Sequence, residues 1–181
     1  MLTPRLEKEL DEILGREMRG KMNEFLVLIL LVKNFDAAEA AKQSRRVGFR
    51  GKKDRELVRE GLLTAILSKE LKISQSTVGT TVGRLVNKGF VTHSKGEPVK
   101  TTEEGRNAAR ELLRHHRLLE VWFTESIGLS PDTAHEEAVK GLVLVSCELI
   151  NTIDSRYDTP EKCPCGEEIP NSELCGDTKL L

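Results

Sequence analysis

Residues 62–101 constrain the fold more than any other part of the chain. Leu62 to Leu71 reads as a short helix, Lys72-Ile73-Ser74 as a turn, and Gln75 to Lys88 as a second helix with Val78, Val82, Leu85 and Val86 on one face. That layout is a helix-turn-helix, whose second helix is shaped to enter a major groove. Gly89 stops the helix. Phe90 to Ser94 and Pro98 to Thr101 then read as two short strands around a Lys95-Gly96-Glu97 tip, a wing made basic by Lys95. Ser76, Thr77, Thr80, Thr81 and Arg84, with Gly79 and Gly83, are expected to face away from the core. Hydroxyl and guanidinium groups in that place serve phosphates or base edges. The two glycines cost roughly 1 kcal/mol each against alanine. Either close approach to a duplex or packing of a neighbouring segment would account for them.

Upstream, Leu6, Leu10, Ile13, Leu14 and Met18 paint one face of a helix over 5–19, which Gly20 is expected to interrupt. A second helix, about 22–33, is apolar nearly all round and belongs at the centre of the first domain. Residues 42–59 carry eight cationic side chains against Asp54 and Glu56. With Gly48 and Gly51 they read as a basic loop or arm, in which Arg45, Arg46, Lys52 and Lys53 are candidate DNA contacts. Downstream, Thr101 or Thr102 caps a helix running to about 126 and ending at Gly128. Ser130-Pro131-Asp132 starts another, predicted to run unbroken over 131–156 along Ala134, Ala138, Leu142, Val145 and Leu149.

Charge divides along the same line. Residues 1–119 hold 24 Lys and Arg against 16 Asp and Glu, whereas 120–181 hold 4 against 13. One half is thus suited to an anionic partner and the other is not. The longest apolar run, Phe25 to Val32, is too short to span a bilayer, and no signal peptide is evident, so a cytoplasmic protein without a membrane partner is expected. Cys147, Cys163, Cys165 and Cys175 all lie in the last 35 residues. In a reducing compartment clustered thiols point to metal or redox chemistry rather than disulfides. No Cys-x-x-Cys motif or paired base accompanies them, so an enzyme is not expected.

Four stretches together, SQSTVGTTVGRLVNKGFV (74–91), TTEEG (101–105), RHHRLLEVWFTESIGLSPDTAHEEA (114–138) and CPCGEEIP (163–170), resemble the DtxR/MntR family of metal-dependent transcriptional repressors. The third is the specific one. The resemblance implies a mainly α fold, with a winged helix-turn-helix over 1–101 and a helical dimerisation and sensing domain over 102–181. It also implies a homodimer on a double-stranded DNA operator. The chain is too short for the SH3-like third domain of some members, and the 42–59 segment lies outside the family pattern.

By register, the family's ancillary metal ligands fall on His116, Glu120 and His135. The spacing agrees: His116 and Glu120 share a helix face, and His135 lies in the first turn of the next helix. The family's primary ligands fall on Val139, Leu142, Val143 and, near the N-terminus, Phe25, none of which ligates a cation. The thiols are the obvious substitute. On an unbroken helix Cys147 would stand about 18 Å from His135, at ~1.5 Å per residue. It is therefore expected to meet Cys163, Cys165 and Cys175 in one centre, an iron–sulfur cluster or a divalent metal such as iron or zinc. The resulting expectation is a repressor responding to iron, a cluster or redox state. The alternative is a winged-helix adaptor with structural zinc.

Overall fold

The computed structural model describes residues 4–46, 61–142 and 144–171. Its elements are α1 (Pro4–Arg46), α2 (Thr64–Leu71), α3 (Gln75–Asn87), β1 (Val91–Thr92), β2 (Lys100–Thr101), α4 (Glu103–Ile127), α5 (Pro131–Gly141) and α6 (Cys147–Arg156). The fold is mainly α, as the sequence implied. The chain divides into two compact units, one from Glu24 to Arg110, the other from the residues up to Asn23 together with those from Glu111 onward. The division falls inside α1 and α4. Among the described residues, no helix is long and apolar enough to cross a membrane.

In the Glu24–Arg110 unit, α2, the Lys72 turn and α3 form the helix-turn-helix. Lys72 adopts φ 54°, a left-handed conformation that ends α2 and turns the chain. Ser74 caps α3 by accepting from the Thr77 N–H at 3.1 Å. Val78, Val82 and Leu85 are buried on the inner face of α3, as are Phe25, Val27, Leu28, Leu31 and Val32 on α1. The wing is antiparallel, with Val91 opposite Thr101 and Thr92 opposite Lys100. Its exit is pinned by Thr102, whose Oγ1 donates to the Gly89 carbonyl at 2.7 Å and accepts from Gly105 N–H at 3.0 Å. Gly105 is required there, because a Cβ would sit 1.9 Å from the Phe90 carbonyl oxygen.

Two expectations fail at the level of elements. Gly20 does not interrupt α1, which is one helix of 43 residues. A glycine costs about 1 kcal/mol in a helix, too little to stop one flanked by Glu17, Met18, Lys21 and Met22 without a proline. The helix begun at Pro131 does not run to 156. It stops at Gly141, and Ser146, in extended conformation, starts α6 by accepting from the Leu149 N–H at 3.3 Å. A side-chain oxygen that satisfies an otherwise orphaned N–H competes with helix continuation. The apolar stripe shifts in consequence: Ile150 and Ile153 are buried, whereas Leu149 is exposed.

In the second unit, Leu118 and Leu119 of α4, Ala138 of α5, and Ile150 and Ile153 of α6 form one core, against which Trp122, Phe123, Val145, Tyr157 and Ile169 pack. Residues 161–169 form a knuckle. Ile169 N–H bonds the Glu161 carbonyl at 2.8 Å, Cys163 N–H the Glu167 carbonyl at 2.9 Å, and Gly166 turns at φ +87°. Arg117 of α4 holds the knuckle through the Glu167 carboxylate at 2.9 Å and the Glu168 carbonyl.

Candidate metal centre and nucleic-acid interface

The outer face of α3 is open. Ser76, Gly79, Thr80, Gly83 and Arg84 are exposed and Thr77 is half-buried. A Cβ added at Gly79 or at Gly83 meets nothing within 4 Å. Among the described residues, no neighbouring segment packs against these two positions. Two expectations change. Thr81 is buried, only 3 % exposed, so it belongs to the core side of α3. Conversely Val86, expected in the core, is exposed. Thr80 donates its hydroxyl to the Ser76 carbonyl at 3.1 Å.

Arg84 is exposed but tethered, 3.7 Å from Glu24. Glu24 is buried on α1 and takes a closer partner, Lys88, at 2.7 Å. The sequence alone does not single out this carboxylate, because its meaning depends on a partner 64 residues away. Lys95 is exposed at the wing tip, where Gly96 turns at φ +86°. Arg45 and Arg46 fall in the last turn of α1, but their side chains, like Lys52 and Lys53, lie outside the described residues.

The second unit brings His116, Glu120 and His135 together. Glu120 Oε1 stands 2.8 Å from His116 Nε2 and 2.5 Å from His135 Nδ1, and the two ring nitrogens are 3.2 Å apart. The i, i+4 spacing on α4 stacks the first two donors, and the Ser130 cap, which sets the start of α5, presents His135 one turn in. His116 and Glu120 are buried while His135 is open to solvent. The other ring nitrogen of His116, Nδ1, is buried with no hydrogen-bond partner among the described residues.

The second oxygen of the same carboxylate meets the knuckle. Cys165 Sγ lies 3.3 Å from Glu120 Oε2 and 2.7 Å from Cys163 Sγ. Burial alone would raise the Glu120 carboxyl. Hydrogen bonds from His116, Cys163 and His135, with the charge of His116, outweigh it and hold the group down at about 2. Burial, followed by hydrogen bonds to Cys165 and Glu120, pushes the Cys163 thiol up to about 12.

Cys147 does not join these thiols. It begins α6, with its Sγ 3.7 Å from His115 Nε2, and His115 Nε2 is 2.8 Å from Glu111 Oε1. The expected four-thiolate centre is thus divided among the described residues, and Cys175 lies outside them. The reason is angular: His115 and Glu120 are five residues apart on α4, about 140° around it and ~7.5 Å along it. Of the apolar positions that replace primary ligands, Leu142 and Phe25 are buried as core, Val139 is half-buried and Val143 lies outside the described residues. Glu111 and His115 were missed in the sequence, although their i, i+4 Glu–His spacing was a readable signal.

A helix-turn-helix beside a wing, and a His–Glu–His triangle on a helical unit, are the features to set beside known proteins. Residues 102–171 match the family described as iron dependent repressor, metal binding and dimerisation domain. Over those residues the chain is similar to the DtxR/MntR family. It is 34 % identical over 117 residues to the diphtheria toxin repressor of Corynebacterium glutamicum, an alignment covering 64 % of this chain and 51 % of the relative. A solved manganese-dependent transcriptional repressor in complex with manganese is 31 % identical with TM-score 0.58, over 64 % of this chain and 52 % of that one. A hypothetical protein from Sulfolobus solfataricus is 27 % identical with TM-score 0.58, over 82 % of this chain and 97 % of that one. The chain spans about half the length of the curated relatives it matches.

Proposed function

We propose that the chain is a metal-responsive transcriptional repressor that binds double-stranded DNA as a homodimer in the cytoplasm, without catalytic activity. The observation that carries this reading is the meeting of His116, Glu120 and His135 donors within 3.2 Å of one another, inside the residues that match the iron dependent repressor domain.

The donor set fits a first-row divalent cation. Two imidazole nitrogens and a carboxylate oxygen suit iron or zinc, and the adjacent thiols of Cys163 and Cys165 tilt the set toward zinc or ferrous iron and away from manganese. His116, Glu120 and His135 would hold the ion, which would supply positive charge beside the Glu120 carboxylate. The protein's own part is orientation: Arg117 holds the knuckle, and Glu120 offers one oxygen to the histidines and the other to the thiols. A cluster is the less supported finer reading. Iron–sulfur clusters are held mostly by four thiolates, whereas Cys163 and Cys165 meet a carboxylate and Cys147 stands apart.

DNA binding is supported by the exposed Ser76, Gly79, Thr80 and Gly83 face, by Arg84 and by Lys95. Dimerisation is supported by Leu144, 74 % exposed between α5 and α6, and by exposed Leu149 on α6. Selection from a random duplex library, with protein loaded with zinc or ferrous iron and with chelator-treated protein, tests the reading. Enrichment of a palindrome in only one of the two states is expected. Failure to enrich any sequence in either state would contradict it and favour the adaptor role.

A further inference from the structure

We propose that Glu111, His115 and Cys147 form a second metal site, separate from the one at Glu120, for zinc or a divalent cation of its class. The three ligand atoms lie within 4.8 Å of one another. Glu111 and His115 are buried, with side chains 4 % and 2 % exposed, and Cys147 is half-buried. His115 stands at the middle of the group, 2.8 Å from Glu111 Oε1 and 3.7 Å from Cys147 Sγ.

The chemistry of the three donors is specific. Carboxylate oxygen, imidazole nitrogen and thiolate sulfur together suit a borderline cation, and zinc takes all three kinds of ligand. Charge balances as well. One carboxylate and one thiolate around a divalent cation, with a neutral imidazole, give no net charge, so an interior position carries little of the cost of an isolated buried ion. On loading, the Cys147 thiol loses its proton to solvent and a sulfur–metal bond forms, with no change of oxidation state. Three protein donors leave one position of a tetrahedral ion for water or another ligand.

The two sites share α4 without sharing a residue. His115 and His116 are neighbours in sequence, about 100° apart around the helix. His116 faces Glu120 and His135, whereas His115 faces Glu111 and the first residue of α6. A cation at the second site therefore ties α4 to the start of α6. That is the joint where the chain breaks between Gly141 and Ser146.

The test uses the full chain with Cys163→Ser, Cys165→Ser and Cys175→Ser, which leaves Cys147 as its sole thiol. Cobalt(II) is added, and thiolate-to-cobalt absorption in the near ultraviolet is recorded. The proposal expects a stoichiometric band that zinc displaces, and that is lost on adding either His115→Gln or Cys147→Ser. It further expects the band to survive His116→Ala with His135→Ala, which separates this site from the proposed regulatory one. Because buried variants can unfold, a second reading uses the unmutated protein: zinc should protect Cys147 from alkylation, read peptide by peptide by mass. Absence of the band in a folded triple variant, or no zinc protection of Cys147 in the unmutated chain, would overturn the site and leave its residues as packing.

Discussion

Gly79 and Gly83 carry the sharpest residue-scale consequence. Each lies in the interior of α3 with open space where a side chain would stand. Alanine at either position should raise stability by up to about 1 kcal/mol through helix propensity alone. If the face receives DNA, the same change should weaken operator binding, because a methyl group then stands where the duplex approaches. Thermal melting and gel-shift titration of Gly79→Ala and Gly83→Ala check the two signs together, and a gain in stability with unaltered affinity would remove this face from the interface. Glu120 gives a second test. Its carboxyl is held at about 2, against an ordinary value of 4.5, so its contribution to stability is fully present above about 4.5 and is lost as pH falls towards 2. Glu120→Gln, compared with the parent in chelator, should show a shallower loss of stability over that window in acid unfolding monitored by circular dichroism. At this scale the His116, Glu120 and His135 group was legible, because helical spacing alone stacks two of its donors. Glu24 with Lys88, and Cys147 with His115, were not, since each pair is made by tertiary packing.

At the scale of elements, the signals that sequence carries well are caps and turns. Thr102 and Ser130 each accept the backbone N–H expected of them, Ser74, read only as part of a turn, caps α3 as well, and Gly128 ends α4 with φ +77°. What misled was periodicity across breaks. Gly20 looks like an end and is not, because its cost is small. Ser146 looks like a helix interior and is a cap, because its side chain offers the backbone an alternative partner. Ser146→Ala should therefore cost about 1 kcal/mol of stability, whereas Ser146→Asp should be tolerated. Chemical denaturation of the two variants measures this, and equal loss in both would argue that Ser146 acts by something other than capping. The same break places Cys147 at the start of α6, on the flank of α4 beside His115.

For the whole molecule, the opposed charges of the two halves are the property with the widest reach. The 42–59 segment lies largely outside the described residues, so its role rests on composition. As an electrostatic arm it should strengthen binding to any duplex alike. Replacing Arg45, Arg46, Lys52 and Lys53 with Gln should weaken specific and random DNA together. It should also flatten the salt slope by up to about 3.6, at roughly 0.9 for each phosphate that is no longer neutralised. A selective loss on operator DNA with an unaltered slope would contradict that assignment.

In the proposed function, a cation at His116, Glu120 and His135 is coupled to DNA affinity. Fluorescence anisotropy with a selected operator at fixed salt, with zinc or ferrous iron and with chelator, measures it directly. Coupling between two sites is typically about 1–3 kcal/mol, so the unmutated chain should change its affinity at least about fivefold on loading. The His116→Ala, His135→Ala double variant should give one affinity in both states. Superimposable curves for the unmutated chain, or a full metal response in the double variant, would contradict the account.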